Sequence, residues 1–294
     1  MAPPPMRLVD THVHFWHPKR LRYSWLHNNP LLDRPYEIED YPTQHYPIQE
    51  GAPEALVFVE CDADPGQCLD EINFVEEQAQ RDSRIRAIVA HAPLEQGRAA
   101  VEPLLERIVA SSPKVRGIRR ILQSLPDPNT LLQNPAFIDG VRLLSKFGLH
   151  FEITVNHTQM DAVIEFVRKL PEIPMVLDHC GKPGIRGGHL AAFQRHAHEL
   201  ARCSNVHCKL SGLATEADHQ HWTDEQLIPY IDTALQAFGP DRLLYGSDWP
   251  VCLLATSVSR WIGVLERALK GCSYEQLRKI FRENANALYR IGLA

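Results

Sequence analysis

The sequence lacks the features that define several large classes of protein. Its seven cysteines include no Cys-x-x-Cys pair, so neither a disulfide framework nor a paired-cysteine zinc site is indicated. No apolar run approaches the ~20 residues of a membrane-spanning helix, and no signal-peptide core follows Met1. A net charge of -5 offers no basic surface to nucleic acid or to an anionic membrane. We therefore expect a cytoplasmic protein with a small-molecule partner, whose oligomeric state the sequence does not set.

Apolar segments typical of buried strands recur along most of the chain. Between them, apolar residues recur at helical spacing, as in Leu69, Ile72 and Val75. Near-continuous apolar strands separated by helices indicate parallel strands that are covered on both faces. The candidate strands are 9–15, 55–62, 85–94, 115–122, 150–155, 175–180, 206–211 and 243–248.

Eight such units predict an α/β protein whose single domain, residues 1–294, is a (β/α)8 TIM-type barrel. A doubly wound open sheet is the alternative, and the lack of a Gly-x-Gly-x-x-Gly motif after the first strand weakens it. Capping-box patterns predict helix starts at Thr223 and Ser273. Residues 272–294 are predicted to add a final helix that packs on the outside of the barrel.

A long segment without periodicity, residues 16–53, follows the first strand. Loops of this length in compact domains are usually functional or disordered. Its aromatic residues argue against disorder, so we interpret it as a lid or substrate wall. The alternative is a loop that packs over the barrel without touching a ligand. The aromatic residues are Trp16, Trp25, Tyr36, Tyr41 and Tyr46.

The first strand carries two histidines two residues apart. Because side chains alternate along a strand, Asp10, His12 and His14 are expected to share one face. Two imidazoles placed in this way can converge on one metal ion or one substrate oxygen.

Ionisable residues collect where the predicted strands end. In a (β/α)8 barrel the catalytic groups lie at these ends. Each residue also has a structural interpretation: Asp178 can cap a turn, Arg120 can form a surface pair, and Glu152 can pair inside the barrel. A lysine within an apolar strand, in contrast, is seldom buried without a partner or a task. The candidates are Glu60, His91, Arg119, Arg120, Glu152, Asn156, Asp178, His179, Lys209 and Asp248.

Several of these segments resemble the amidohydrolase superfamily. They are residues 9–14 (Val-Asp-Thr-His-Val-His), 177–183 (Leu-Asp-His-Cys-Gly-Lys-Pro) and 245–250 (Tyr-Gly-Ser-Asp-Trp-Pro). Residues 115–123 and 208–213 resemble its sugar-lactone hydrolase branch, which includes L-fuconolactonases and L-rhamnonolactonases. The resemblance extends over about residues 7 to 290.

The resemblance implies a catalytic site at four positions. His12 and His14 match the metal or oxyanion histidines of the first strand, His179 matches that of the sixth, and Asp248 matches the general base. One Zn²⁺ bound by His12, His14 and Asp248 is implied. Arginines on the fourth strand disfavour a second metal. Similar pyrone-dicarboxylate lactonases work without metal, so a metal-independent reaction is the alternative.

The implied activity is hydrolysis of a sugar-acid lactone of the L-fucono or L-galactono type by Asp248-activated water. His179 would protonate or orient the leaving ring oxygen. Without a metal, Arg119 or Lys209 would stabilise the oxyanion. Glu60, Asn156 and Trp25 are expected, with those two cations, to contact substrate. The alternatives are a metal-free lactonase of a pyrone or muconolactone dicarboxylate, a zinc-dependent decarboxylase of the superfamily, and a non-catalytic sugar-acid binder.

Overall fold

The computed structural model describes residues 6–43, 52–125 and 128–294. In this part of the chain, eight parallel strands pair in chain order, each with the next. The predicted α/β barrel is therefore confirmed. The strands are β1 (Val9–Val13), β2 (Ala55–Val59), β3 (Ile85–His91), β4 (Val115–Ile121), β5 (His150–Thr154), β6 (Met175–Leu177), β7 (Val206–Leu210) and β8 (Leu243–Tyr245).

The first and last strands meet just beyond their carboxyl ends. Val13 forms a parallel bridge with Trp249. The amide of His14 donates to the Trp249 carbonyl at 2.8 Å, and the amide of Asp248 donates to the His12 carbonyl at 2.9 Å. The contact that nearly closes the barrel is thus made by the backbone of the predicted site residues.

From β2 onward, α-helices separate the strands, as the apolar spacing predicts. The capping boxes at Thr223 and Ser273 are both present. Within the described ranges, no helix is long and apolar enough to cross a lipid bilayer. The helices are α1 (Cys68–Arg81), α2 (Arg98–Ser111), α3 (Pro128–Gln133), α4 (Pro135–Leu143), α5 (Met160–Arg168), α6 (Leu190–Ala201), α7 (Asp224–Phe238), α8 (Val258–Ala268), α9 (Tyr274–Arg278) and α10 (Asn284–Leu288).

The C-terminal segment does not simply pack on the outside of the barrel, so that prediction is wrong. Helix α9 continues through a π-helical turn, Lys279–Glu283, into α10. Ala285, Tyr289 and Ile291 then join the apolar cluster formed by the lower interior of the barrel. The end of the chain therefore closes the amino-terminal end of the barrel. The strand residues of this apolar cluster are Val9, Ala55, Val57, Val59, Ala87, Val89, Val176 and Leu244.

The long loop after β1 packs back over the carboxyl end of the barrel. The backbones of Trp16 and Tyr36 pair with each other, and both rings are buried. The Trp25 indole donates to the Cys61 carbonyl at 2.8 Å. Residues 44–51 of this loop, with Tyr46, lie outside the described residues.

Candidate active site

An open cavity of about 670 Å³ lies at the carboxyl end of the barrel. Five residues selected from the sequence line it: His14, Trp25, Arg119, His179 and Asp248. Lining residues that the sequence did not single out include Cys61, Asp62, Gln123, Ser124, Thr154 and Lys182. The predicted residues therefore meet around a space large enough for a small molecule.

His14 and Asp248 face each other at the floor of this cavity. The Nδ1 of His14 lies 2.7 Å from the Val59 carbonyl, which can only accept, so Nδ1 carries the proton. Its Nε2 then points to Asp248, with 3.3 Å between Nε2 and Oδ1. Hydrogen bonding behind the ring thus fixes the nitrogen that is offered to the cavity.

Asp248 is buried and yet held in its charged form. Burial alone would raise its pKa, but the imidazoles that surround it, His179 first and then His14 and His12, outweigh burial and bring the pKa well below its ordinary value. The residue has a left-handed backbone with a φ of 60°. The protein therefore presents an ionised carboxylate at neutral pH.

His12 lies one layer deeper, between two cations. Its Nδ1 is 3.2 Å from the Lys209 ammonium, and its Nε2 is 3.2 Å from Nη1 of Arg119. Burial and the charge of Lys209 lower the pKa of His12 well below its usual value. This imidazole is consequently neutral at physiological pH.

Both cations belong to a buried ion network that fills the upper barrel. Lys209 contacts Glu152 at 2.6 Å and Asp178 at 3.1 Å. Arg119 contacts Glu60 at 2.8 Å and Asp178 at 3.3 Å. Since buried charges are stable only when paired, each cation is held in one position by two carboxylates.

His179 is placed by an unusual stretch of left-handed backbone. Four successive residues, from His179 to Lys182, have φ values of 53°, 53°, 72° and 48°. Its Nδ1 meets the Ser211 hydroxyl at 2.8 Å. A Cβ on Gly212 would lie 2.6 Å from Nδ1 of the ring, so only glycine fits there. Burial lowers the pKa of His179 to about 4, against the pull of Asp248.

Three predicted substrate contacts do not line the cavity. Glu60 and Lys209 are fully buried beneath it and bind Arg119 and His12. The Asn156 side chain accepts hydrogen bonds from Thr158 and caps a short helix.

Side-chain contacts correct the expectation for Asp10 and decide between the two interpretations of Arg120. Asp10 does not share the face of the two histidines; its carboxylate accepts from the Tyr41 hydroxyl and the Ser247 amide. The register of β1 shifts after Asp10, which explains the difference. Arg120 forms the alternative surface pair, with Glu95 at 2.9 Å.

Asp178 is the network residue that sequence reasoning undervalued. It was as consistent with a turn cap as with a functional group, but the structure buries it between Arg119, Lys209 and Thr154. Its position directly before His179, at the end of an apolar strand, was the available signal.

The donor atoms of His12, His14 and Asp248 lie within 4.8 Å of one another, which suits a single metal ion. Two imidazoles and a carboxylate with an open position are a donor set that zinc accepts. The tautomer of His14 leaves its Nε2 free to coordinate. Nη1 of Arg119 at 3.2 Å from Nε2 of His12 would have to move away before an ion bound there. With that movement, the residues fit one divalent ion.

The barrel and its histidine–aspartate cluster define a (β/α)8 enzyme. The chain belongs to the amidohydrolase family, whose profile matches residues 9–291, which confirms the resemblance found in the motifs.

Relatives of this chain match it over most of its length. L-fucono-1,5-lactonases of Burkholderia multivorans and Burkholderia ambifaria are 33% and 31% identical, covering 88% and 96% of this chain and 87% and 95% of those proteins. A crystal structure of an amidohydrolase from Burkholderia multivorans with bound zinc has a TM-score of 0.84 at 32% identity, covering 97% of this chain and 99% of that one.

Proposed function

We propose that the protein hydrolyses the ring ester of a sugar-acid lactone, of the L-fucono or L-galactono type. The observation that carries the proposal is the buried Asp248 carboxylate, which lines one cavity with His14 and His179 and lies 3.3 Å from Nε2 of His14. Support for the substrate class comes from the relatives that are named L-fucono-1,5-lactonase and match this chain over most of its length.

In the proposed mechanism, Asp248 is the general base. It accepts a proton from water while the water oxygen attacks the lactone carbonyl carbon. When the tetrahedral intermediate collapses, the bond to the ring oxygen breaks and that oxygen takes up the proton. His179, which lines the same cavity as Asp248, would hydrogen-bond the departing oxygen. The product is an open-chain hydroxy acid, which releases a proton to solvent.

Arg119 is proposed to stabilise the oxyanion that forms during the attack. Burial alone would lower its pKa, but Glu60 and Asp178 outweigh burial and raise it further, so the charge is permanent. Its guanidinium is held by both carboxylates and still lines the cavity. A donor fixed in advance needs no reorganisation when the negative charge appears.

A divalent ion at His12, His14 and Asp248 would act as a Lewis acid and lower the pKa of bound water. We infer that Glu60 and Lys209 serve the reaction by holding Arg119 and His12, without touching substrate. Asn156 receives no substrate contact in this proposal.

Substrate recognition is assigned to the cavity wall. Trp25 offers an apolar ring face, and Asp62, Ser124 and Lys182 offer polar groups to hydroxyls. The amide oxygen of Gln123 is buried without a hydrogen-bond partner among the described residues, and a hydroxyl-rich ligand can supply a donor.

Proton release from a panel of aldonolactones, with and without chelator treatment, tests the proposal. We expect turnover of L-fucono- or L-galactono-lactone and its loss in Asp248→Asn. Activity that survives chelation assigns the oxyanion to Arg119, whereas loss reversed by Zn²⁺ assigns it to the metal. No turnover of any sugar lactone in either state would refute the proposal.

A dicarboxylate lactone is the second candidate, because two cations, Arg119 and Lys182, line the cavity. A matched series of lactones with and without a ring carboxylate separates the two. Preference for the neutral aldonolactone by at least tenfold in kcat/KM supports the sugar assignment, and the reverse preference supports the second candidate.

A further inference from the structure

A buried carboxyl group that the proposed mechanism does not use lies below the cavity wall. Glu71 is on α1 and is only 1% exposed. Its Oε1 accepts a hydrogen bond from the amide of Cys61 at 3.0 Å. It therefore contacts, from below, the backbone of residues 60–62, which follow β2.

The same residues, 60–62, also hold Arg119 through Glu60. The Glu60 carboxylate accepts from Nε of Arg119 at 2.8 Å, and the Glu60 carbonyl accepts from Nη2. The other Glu60 oxygen accepts from the amide of Asp62 at 2.8 Å. Asp62 has a left-handed backbone with a φ of 54°. Such a backbone persists only where its surroundings enforce it, and Glu71 provides one of the fixing contacts.

We propose that Glu71 is a positioning residue for the reaction: its carboxyl group anchors residues 60–62 and through them holds Arg119 at the cavity. This inference rests on the proposed function only where Arg119 is assigned to the oxyanion.

The surroundings explain why the group is uncharged. The charged groups that act on it are Glu60 and Asp62 after β2 and Arg119 on β4. Tyr23 of the long loop and Cys61 also lie close to it, so an ionised Glu71 would raise the pKa of both groups. Burial and the charge of Glu60 raise the pKa of Glu71 to about 8.

Glu60 shows the opposite behaviour. Burial alone would raise its pKa, but Arg119 and His91 outweigh burial and lower it. The two carboxyl groups thus differ in protonation state: Glu60 carries the charge that binds Arg119, and Glu71 stays neutral. An ionised Glu71 would repel Glu60 and disturb that pairing.

Kinetics of variants test the positioning role. Glu71→Ala is expected to lower kcat on the best lactone at least tenfold with KM changed less than threefold, and Glu71→Gln, which keeps the acceptor for Cys61, to restore most of it. Asp70→Asn, at an exposed position on the same helix, is the matched control. In an Arg119→Met background, Glu71→Ala should add little further loss. Full additivity of the two losses would overturn the proposal.

Thermal stability tests the uncharged state without any substrate. The pKa of Glu71 is about 8 in the folded protein and 4.5 ordinarily. The unfolded chain therefore loses this proton at a lower pH than the folded protein does. Wild-type stability should therefore fall, relative to Glu71→Gln, as pH rises from about 4.5 to about 8. Equal changes of Tm with pH in both proteins would show that Glu71 is charged and would refute the inference. Because this measurement needs no turnover, its failure is distinguishable from failure of the proposed function.

Discussion

The two halves of the barrel interior are built on the same strands but have opposite chemistry. In the lower half, Val9, Val57 and Leu244 pack against Tyr289 of the C-terminal segment. In the upper half, Lys209 and Arg119 pair with buried carboxylates. Along β6 and the residue that follows it, the change from apolar to charged takes only two residues, from Val176 to Asp178. The comparison teaches that stability and catalysis can be assigned to separate layers of one core.

Asp248→Asn should give the largest loss of activity, and this loss should come from the upper half of the barrel without a change in the fold. Loss of a general base costs about 10²–10⁴-fold in rate. We expect kcat on the preferred lactone to fall within this range while the far-ultraviolet circular dichroism is unchanged. Near-wild-type turnover by the folded variant would remove Asp248 from the mechanism.

Lys209→Met tests whether the charged layer also supports the fold. Removing this cation leaves Glu152 and Asp178 without a main counter-ion, and breaking a buried pair costs about 3–5 kcal/mol. Urea unfolding would measure the loss. The double variant Lys209→Met/Glu152→Gln should lose less than the single one. A double variant that is less stable still would contradict the charge explanation.

Leu244→Ala makes the matching change in the lower half. The side chain is fully buried, so the cavity should cost about 2–5 kcal/mol of unfolding free energy. Because the Leu244 side chain belongs to the apolar cluster and offers no polar group to the site, kcat/KM should stay within twofold of wild type. A large kinetic defect in a protein that remains folded would mean that the two layers are not separate.

The smallest effect is expected at the point where the layers touch. The Tyr289 hydroxyl donates to Oε1 of Glu152 at 2.7 Å. Tyr289→Phe removes this hydrogen bond to a charged acceptor and should cost about 1.5–3 kcal/mol. Thermal unfolding would detect it, with kcat unchanged. No measurable destabilisation would show that water replaces the hydroxyl.

The sequence predicted the eight strands and four strand-end residues that line the cavity, because apolar period and strand ends are local signals. The four residues are His14, Arg119, His179 and Asp248. It could not predict how ionisable groups pair. Asp178 and Lys209 are 31 residues apart in the chain, and only the closed barrel brings them within 3.1 Å.

Local deviations from ideal geometry were also beyond the sequence. The prediction for Asp10 assumed regular alternation, which the register shift in β1 breaks. The prediction of a final helix over residues 272–294 did not reveal which end of the barrel it covers. Strands β6 and β8 end three residues earlier than predicted, since the chain turns toward the site at His179 and Asp248.

The pairing of the first strand with the last has a consequence for synthesis of the protein. His14 leaves the ribosome early, and Asp248 follows more than two hundred residues later. In the folded protein the backbone hydrogen bond from His14 to Trp249 brings the two residues together. A nascent chain that ends before Asp248 has every histidine of the site and no base. Activity should therefore appear only when translation is nearly finished, and incomplete chains should be inactive.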